Sequence, residues 1–345
     1  MLKWIYDLSY DEVKEDIIQL NWPKFVTDQV FQWLYEKNIA DITTWSNISK
    51  QNRAILLRKY DTRLVKAIAI EKDIEGTGKY LIQLRDGKRI EAVLIKEKKH
   101  YTMCISTQVG CALQCKFCAT GRMGFKRNLS PGEILSQVSL LRKEVAAEHP
   151  QDNRKRKINI VFMGMGEPLL NYESLKKALT IITSGQGIGI SPRNITISTA
   201  GILEGIMRFE KDFPGIKISF SLNAPDTALR EELMPISKKE KINEILSYFQ
   251  NTNRKHRITF EYVLLKGVND SLPDAAKVAK LLRGIPCKIN LIPYNENDNI
   301  DYETPPEETV ETFCDYLHAA GYTVIVRWSK GGDIKSACGQ LAVEI

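Results

Sequence analysis

From about residue 101 onward the chain repeats one pattern: a short β-type run, then an amphipathic stretch at helical spacing. The candidate strands are Thr102–Ser106, Ile158–Met163, Asn194–Ser198, Lys217–Ser221, Thr259–Leu264 and Lys288–Ile292. Ser130-Pro131-Gly132-Glu133 opens the first helix with a capping box and a first-turn proline, and Ile134, Val138 and Leu141 then recur on one face. Repeated βα units require a parallel sheet, open or curled toward a barrel. Sites on such sheets lie at the carboxyl ends of the strands.

The part ahead of this unit reads differently. Residues 1–60 have helical character, with Val26, Val30, Trp33 and Leu34 spaced on one face just after Pro23. Between Leu64 and Ile95 the period shortens, and Tyr80–Leu84 and Arg89–Ile95 flank Asp86-Gly87, a hairpin signal. The expected division is a helical accessory domain at 1–60, a β-hairpin extension at 61–100 and an α/β catalytic domain at 101–345. A composition of 43% hydrophobic and 26% charged residues suits a soluble globular chain. No apolar run approaches membrane-spanning length, and the start at Met1-Leu2-Lys3 reaches charge too soon for a signal peptide, so a cytoplasmic protein is expected.

Three of the seven cysteines fall within Cys111-Ala-Leu-Gln-Cys115-Lys-Phe-Cys118, just past the first strand of the βα series. Such crowding argues against a disulfide framework and for a metal or redox site. Three thiolates at this spacing suit an iron–sulfur cluster with one open iron, or a zinc ion completed by a distant ligand. The chain carries a net charge of +7, grouped at Lys96–His100, Arg122–Arg127, Arg154–Lys157, Lys238–Lys241 and Arg254–Arg257. Any one group reads as a solvated surface, whereas together they suit a phosphate backbone.

The triad resembles the hallmark of the radical S-adenosylmethionine superfamily, and Phe117 matches its habit of an aromatic before the last cysteine. Val161-Phe-Met-Gly-Met-Gly166-Glu167-Pro168, one βα unit later, resembles the superfamily's site for the cofactor's amino group. The order of Cys104-Ile-Ser-Thr-Gln-Val-Gly-Cys111, Cys118-Ala-Thr-Gly-Arg-Met-Gly, Ile197-Ser-Thr-Ala-Gly201, Phe260-Glu-Tyr-Val-Leu-Leu-Lys-Gly, Asn290-Leu-Ile-Pro-Tyr-Asn295 and Ser336-Ala-Cys-Gly-Gln-Leu341 is similar, over nearly the whole chain, to the bacterial adenine-C2 RNA methyltransferases of the RlmN family.

The resemblance implies a partial (β/α)6 barrel, a 4Fe-4S cluster on Cys111, Cys115 and Cys118, and two S-adenosylmethionine molecules per turnover. It implies 23S ribosomal RNA and tRNA as partners, an electron donor such as a flavodoxin, and a monomer. Cofactor contacts then fall on Gly166, Glu167, Ser198, Ser221, Leu222, Asn223 and Asn295, with Asn223 standing where the family usually has histidine. By motif position Cys338 carries the methyl group, Cys104 is the releasing thiol that ends in a disulfide with Cys338, and Glu91 accepts a proton. Pro168 favours C2 over the C8-methylating relative, which tends to have alanine there. Cys287 and Cys314 read as core. Trp22, Lys24, Trp33 and Lys37 offer aromatic and basic contacts to RNA, with Trp33 on the apolar face.

Overall fold

Ten strands form one sheet whose spatial order is the order of the chain. A computed structural model describes residues 2–149, 157–298, 300–328, 331 and 334–343, so Arg154–Arg156 of one basic group lie outside the described residues. The strands are β1 (Lys66–Lys72), β2 (Gly78–Gln83), β3 (Arg89–Lys96), β4 (His100–Cys104), β5 (Lys157–Phe162), β6 (Ile195–Thr199), β7 (Lys217–Ser221), β8 (Ile258–Leu264), β9 (Cys287–Pro293) and β10 (Val324–Val326). From β4 to β10 every neighbouring pair is parallel, while β1 to β4 pair antiparallel. The six expected strands stand within two residues of their expected ends. The hairpin at Asp86-Gly87 does not form a separate body: β3 pairs with β4 at Val93 and Cys104, so its strands extend the catalytic sheet.

Helices return the chain between parallel strands, as any parallel pairing requires. They are α4 (Pro131–Glu148), α5 (Tyr172–Thr183), α6 (Leu203–Asp212), α7 (Thr227–Leu233) followed by α8 (Ile242–Asn251), α9 (Leu272–Leu281) and α10 (Glu307–Ala319), after α1 (Tyr10–Gln19), α2 (Phe25–Phe31) and α3 (Lys50–Lys59) near the N-terminus. Ser130 and Glu133 make the expected capping box at the start of α4, with Pro131 in its first turn. Six βα units therefore run from β4 to α10, and β10 closes the series: a partial (β/α)6 barrel.

Side-chain alternation gives the two faces of this sheet opposite characters. Ile197, Phe220, Phe260, Tyr262 and Leu291 point toward the helices and join the main core. There Phe220 and Phe260 meet Phe249 of α8 at 5.5 and 6.0 Å between centroids, and Tyr262 stacks on Phe313 of α10 at 5.4 Å. The register puts Ser198 beside Ser219, Ser221 beside Glu261, and Glu261 beside Asn290 on the other face. On the β3 side the same face continues through Cys104, paired with Val93 and Val161. The inner face is a polar lumen.

The helical N-terminal part lies against α4 and α5. Asp16 gathers Lys3, Lys59 and the Tyr60 hydroxyl, tying both ends of this region together where Lys3–Trp4 pairs with Tyr60–Asp61. Asp7 accepts from the Gly132 N–H at 2.9 Å, at the start of α4. Asn38 donates to Ser139, and Glu12 pairs with Lys177 at 2.8 Å. A Cβ on Gly132 would stand 2.7 Å from the Trp4 ring and 2.9 Å from the Asp7 carboxylate. Gly132→Val is therefore expected to destabilise the protein by about 1–3 kcal/mol through overpacking. Urea unfolding monitored by tryptophan fluorescence would measure it, with a midpoint equal to wild type counting against a tight seam.

Candidate active site

At the carboxyl ends of the strands, backbone geometry shapes two loops into a cradle. The segment after β4 pairs with the one after β5: Gly164 N–H donates to Ile105, Thr107 N–H to Met165, and Met165 N–H to the Ser106 hydroxyl at 2.8 Å. Gly166 has φ +97°, and a Cβ there would lie 2.5 Å from Gln108 Cβ, so only glycine fits. The neighbouring Glu167 is buried, and its N–H donates to Gln108 Oε1 at 2.9 Å. Its carboxylate accepts from Leu169 N–H at 3.1 Å and Ala200 N–H at 2.9 Å. Burial pushes its pKa up to about 7 despite these donors.

The three cysteines of the triad converge above β6 and β7. Cys111, Leu113 and Phe117 pack with Ala200, Ala224, Leu233, Met234 and Tyr294, and Cys115 and Cys118 border this second apolar cluster. Burial raises all three thiols, Cys111 to about 12, and each of Cys111 and Cys115 is raised further by the charge of Cys118. Thiols grouped on one loop and desolvated in this way favour a positively charged partner that takes them as thiolates. Cys118 stands at the N-cap of the single helical turn Ala119–Arg122, where the backbone N–H groups of Gly121 and Thr120 work against the rise that burial causes. Among the described residues no three His, Cys, Asp or Glu side chains close on one point as a single-ion site requires.

The C-terminal segment crosses the mouth of the lumen as a strap. Gly339 accepts from Ala119 N–H at 2.8 Å, Leu341 from the Thr120 hydroxyl at 2.5 Å, and Gln340 donates to Glu296 at 2.9 Å. Ala342 N–H donates to Glu91 Oε2 at 2.9 Å. This fastens both sides of the open sheet together and brings Cys338 to Cys104 and Cys118, whose charges bear on one another. Cys338 is exposed at the mouth yet hemmed in by protein, and its thiol is pushed up to about 11, first by desolvation and then by Glu261. Cys104 is buried, and burial raises its thiol far above the usual range. All seven cysteines are free thiols, so the disulfide between Cys104 and Cys338 is not formed here. Glu91 is buried, its pKa raised by desolvation, with Lys79 Nζ 3.9 Å from Oε1.

The remaining expected residues divide. Ser198 and Ser221 face the lumen half-exposed, with no side-chain hydrogen bond among the described residues, and the Asn295 amide nitrogen is buried without a partner among them. Leu222 and Asn223 are used otherwise. Leu222 is fully buried, and Asn223 adopts φ 56° with its Oδ1 accepting from Val263 N–H at 3.0 Å. Asparagine tolerates this left-handed conformation, and its short amide reaches β8 from there. The Asn223 side chain is thus a clasp between strand ends rather than an open contact. Two of the basic groups are also partly spent internally: Arg127 binds Glu133 and Asp86, and Arg254 binds Glu210. Trp33 is core as expected, stacked on Trp45, with Lys37 over its ring. Cys287 is buried in the core, as expected, and Cys314 is half-buried against it.

Three residues of the site went unassigned in the sequence. Gln108 supports Glu167 from within a motif that was noticed only as a string. Glu261, bonded to Ser219 and Asn290, announced itself only as a charge inside an apolar strand. Arg230 gave no signal.

This arrangement has relatives. Residues 105–279 match the radical SAM superfamily model, and residues 3–60 match the ribosomal RNA large subunit methyltransferase N-terminal domain. The crystal structure of a radical SAM methyltransferase from Sphaerobacter thermophilus is similar with a TM-score of 0.94 and 36% identity, covering 99% of this chain and 100% of that one. The Dual-specificity RNA methyltransferase RlmN of Solidesulfovibrio magneticus is 41% identical over 99% of this chain and 96% of its own. That of an Anaeromyxobacter species is 40% identical over 98% and 90%. Fold and triad together define a radical S-adenosylmethionine enzyme, the class that uses a 4Fe-4S cluster. Within that class, the chain belongs to the RlmN family of RNA methyltransferases.

The raised Glu167 pKa has a measurable sign. A carboxyl that holds its proton more tightly folded than unfolded contributes stability that is full below about pH 4.5 and lost as pH rises toward 7. Cluster-free wild type is expected to lose up to about 3 kcal/mol across that window relative to Glu167→Gln, whose stability should stay flatter. Denaturant titrations at pH 5, 6 and 7.5 would read the difference, and parallel profiles would show that Glu167 titrates normally.

Proposed function

We propose that this protein methylates C2 of an adenosine in the peptidyl-transferase region of 23S ribosomal RNA and of the adenosine beside the anticodon in tRNA. The observation that carries this reading is the convergence of Cys338, Cys104 and the triad at one end of a polar lumen, with Cys338 held on a strap. C2 of adenine lies between two ring nitrogens and is too electron-poor to attack a methyl donor, so an RNA methylase acting there needs a radical route.

The residues suit the two cofactors. Cys111, Cys115 and Cys118 would hold the cluster. Glu167 offers its carboxylate to the amino group of S-adenosylmethionine, Gly166 leaves room beside it, and Ser198, Ser221 and the orphaned Asn295 amide can bond its polar groups. When bound, cluster and S-adenosylmethionine supply a methyl group and the means to make a carbon radical.

The chain's own groups then divide the work. The Cys338 sulfur accepts the methyl carbon and carries it to C2, creating a covalent link to RNA. Glu91, whose raised pKa favours proton uptake, takes the C2 proton. Cys104 gives up its thiol proton and attacks the Cys338 sulfur. The sulfur–carbon bond breaks with its electron pair going to the carbon, which takes up a proton to complete the methyl group, and the two cysteines are left as a disulfide. The adenine must leave its stack to enter the lumen, and aromatic and basic surface residues of the N-terminal region serve the RNA around it. In this reading the protein works in the cytoplasm as a monomer with a flavodoxin-type electron donor; among the described residues no helix is long and apolar enough to cross a membrane.

With reconstituted enzyme, reductant, labelled S-adenosylmethionine and unmodified RNA, mass spectrometry of the digest should show 2-methyladenosine. Cys118→Ala and Cys338→Ala should lower it at least 100-fold, on the order expected when a reacting group is removed. Cys104→Ala should instead accumulate a protein–RNA adduct on denaturing gels. An 8-methyladenosine product would overturn the C2 assignment, and undiminished product from Cys338→Ala would overturn the methylcysteine route.

A further inference from the structure

Arg230 on α7 is 1% exposed and forms no ion pair among the described residues. Its guanidinium spends four of its five N–H groups on neutral acceptors instead: Nε donates to Leu222 O at 3.1 Å, Nη2 to Ala200 O at 2.7 Å and Ser221 O at 3.0 Å, and Nη1 to the Ser237 hydroxyl. The cation also lies 5.1 Å from the Phe220 ring centroid. These carbonyls and the hydroxyl accept from it without neutralising its charge. A buried arginine is ordinarily paired with an anion, because desolvating an unpaired charge costs several kcal/mol or more. Burial indeed draws its pKa down to about 10, and the opposing influence on it is Cys115.

The same helix supports the triad loop. Leu233, the last residue of α7, accepts from Lys116 N–H at 2.9 Å, and Leu233 and Met234 pack among the cysteines. The carbonyls that Arg230 grips end β6 and β7, and Ala200 is also the residue whose N–H holds the Glu167 carboxylate. Arg230 therefore joins the two strand ends through its side chain, while its helix holds the triad loop through Leu233 and its partner Ala200 holds the Glu167 carboxylate.

We infer that Arg230 is the built-in counter-charge of the iron–sulfur cluster, a positioning residue that stabilises the anionic assembly on Cys111, Cys115 and Cys118 and favours its reduced form. Three thiolates outweigh the positive charge of a 4Fe-4S core, so the assembly is an anion and gains a further negative charge on reduction. A fixed cation in a dry setting beside it stabilises the reduced state more than the oxidised one and raises the reduction potential. This rests on the reading that the triad holds such a cluster.

The test is spectroelectrochemical titration of reconstituted wild type, Arg230→Lys, Arg230→Gln and Arg230→Met, with iron content and the thermal melt of each cluster-free protein measured alongside. Charge is the variable: the midpoint potential should stay near wild type in Arg230→Lys and move to more negative values in Arg230→Gln and Arg230→Met. Loss of iron loading in the two neutral variants, with normal loading in Arg230→Lys and cooperative melts throughout, would support the same conclusion. If Arg230→Met does not fold, Arg230→Gln retains amide donors and carries the comparison. Equal potentials in all four proteins, or equal shifts in Arg230→Lys and Arg230→Gln, would overturn it in favour of a hydrogen-bonding role alone. A wild type that binds no iron would instead overturn the cluster reading.

Discussion

A parallel sheet needs cover on both faces, and in this chain helices supply it on only one. The other face lines a lumen, so every polar group there must find a partner or wait for a ligand. Ser219 and Asn290 satisfy one oxygen of Glu261, and Arg230 satisfies the carbonyls where β6 and β7 end. Groups left over, such as the Asn295 amide, collect at the carboxyl ends of the strands. The position of the active site follows from this division: it is where the inner face runs out of internal partners.

Much of this was legible beforehand because periodicity reports burial. The central strands were visible because each alternates or runs apolar between amphipathic helical stretches, three of which begin with a side-chain cap at Ser130, Asp226 and Ser271. β1 was not, since Lys66–Lys72 is an edge strand with solvent on its outer side and reads as a charged segment. β10 is only three residues long, too short for any period to show. Cysteine spacing located the triad, and motif order located Cys338. Spacing said nothing about Arg230, whose neighbours Glu231 and Glu232 make it look like part of a solvated helix. Its partners lie up to 30 residues away, and all but the Ser237 hydroxyl are backbone carbonyls, which leave no mark in a sequence. Nor did the sequence show that the Asn223 side chain is engaged with β8, since its partner is the Val263 N–H.

The N-terminal helices show how an accessory region is fixed to a catalytic one with few contacts. Asp16 closes the region on itself, while Asp7, Asn38 and Glu12 reach across to α4 and α5. Because α4 directly follows the triad loop, the orientation of this region is set by the same element that leads out of the active site. RNA held by the N-terminal part would thus be registered against the lumen by a helix rather than by a flexible linker.

The identity of strand order and chain order bears on how the molecule assembles. Each strand from β1 to β10 docks on its predecessor, so the sheet can grow by successive pairings of strands that are consecutive in the chain. The strap is different. Its bond from Ala342 to Glu91 spans 251 residues and is formed only once the whole sheet exists. Loop closure over that length carries an entropic cost that short-range strand pairings escape. The strap is held by bonds to Ala119, Thr120, Glu296 and Glu91 and adds no strand to the sheet. Closure of the mouth thus rests on these few long-range bonds, whereas the barrel beneath it rests on the pairing of its strands.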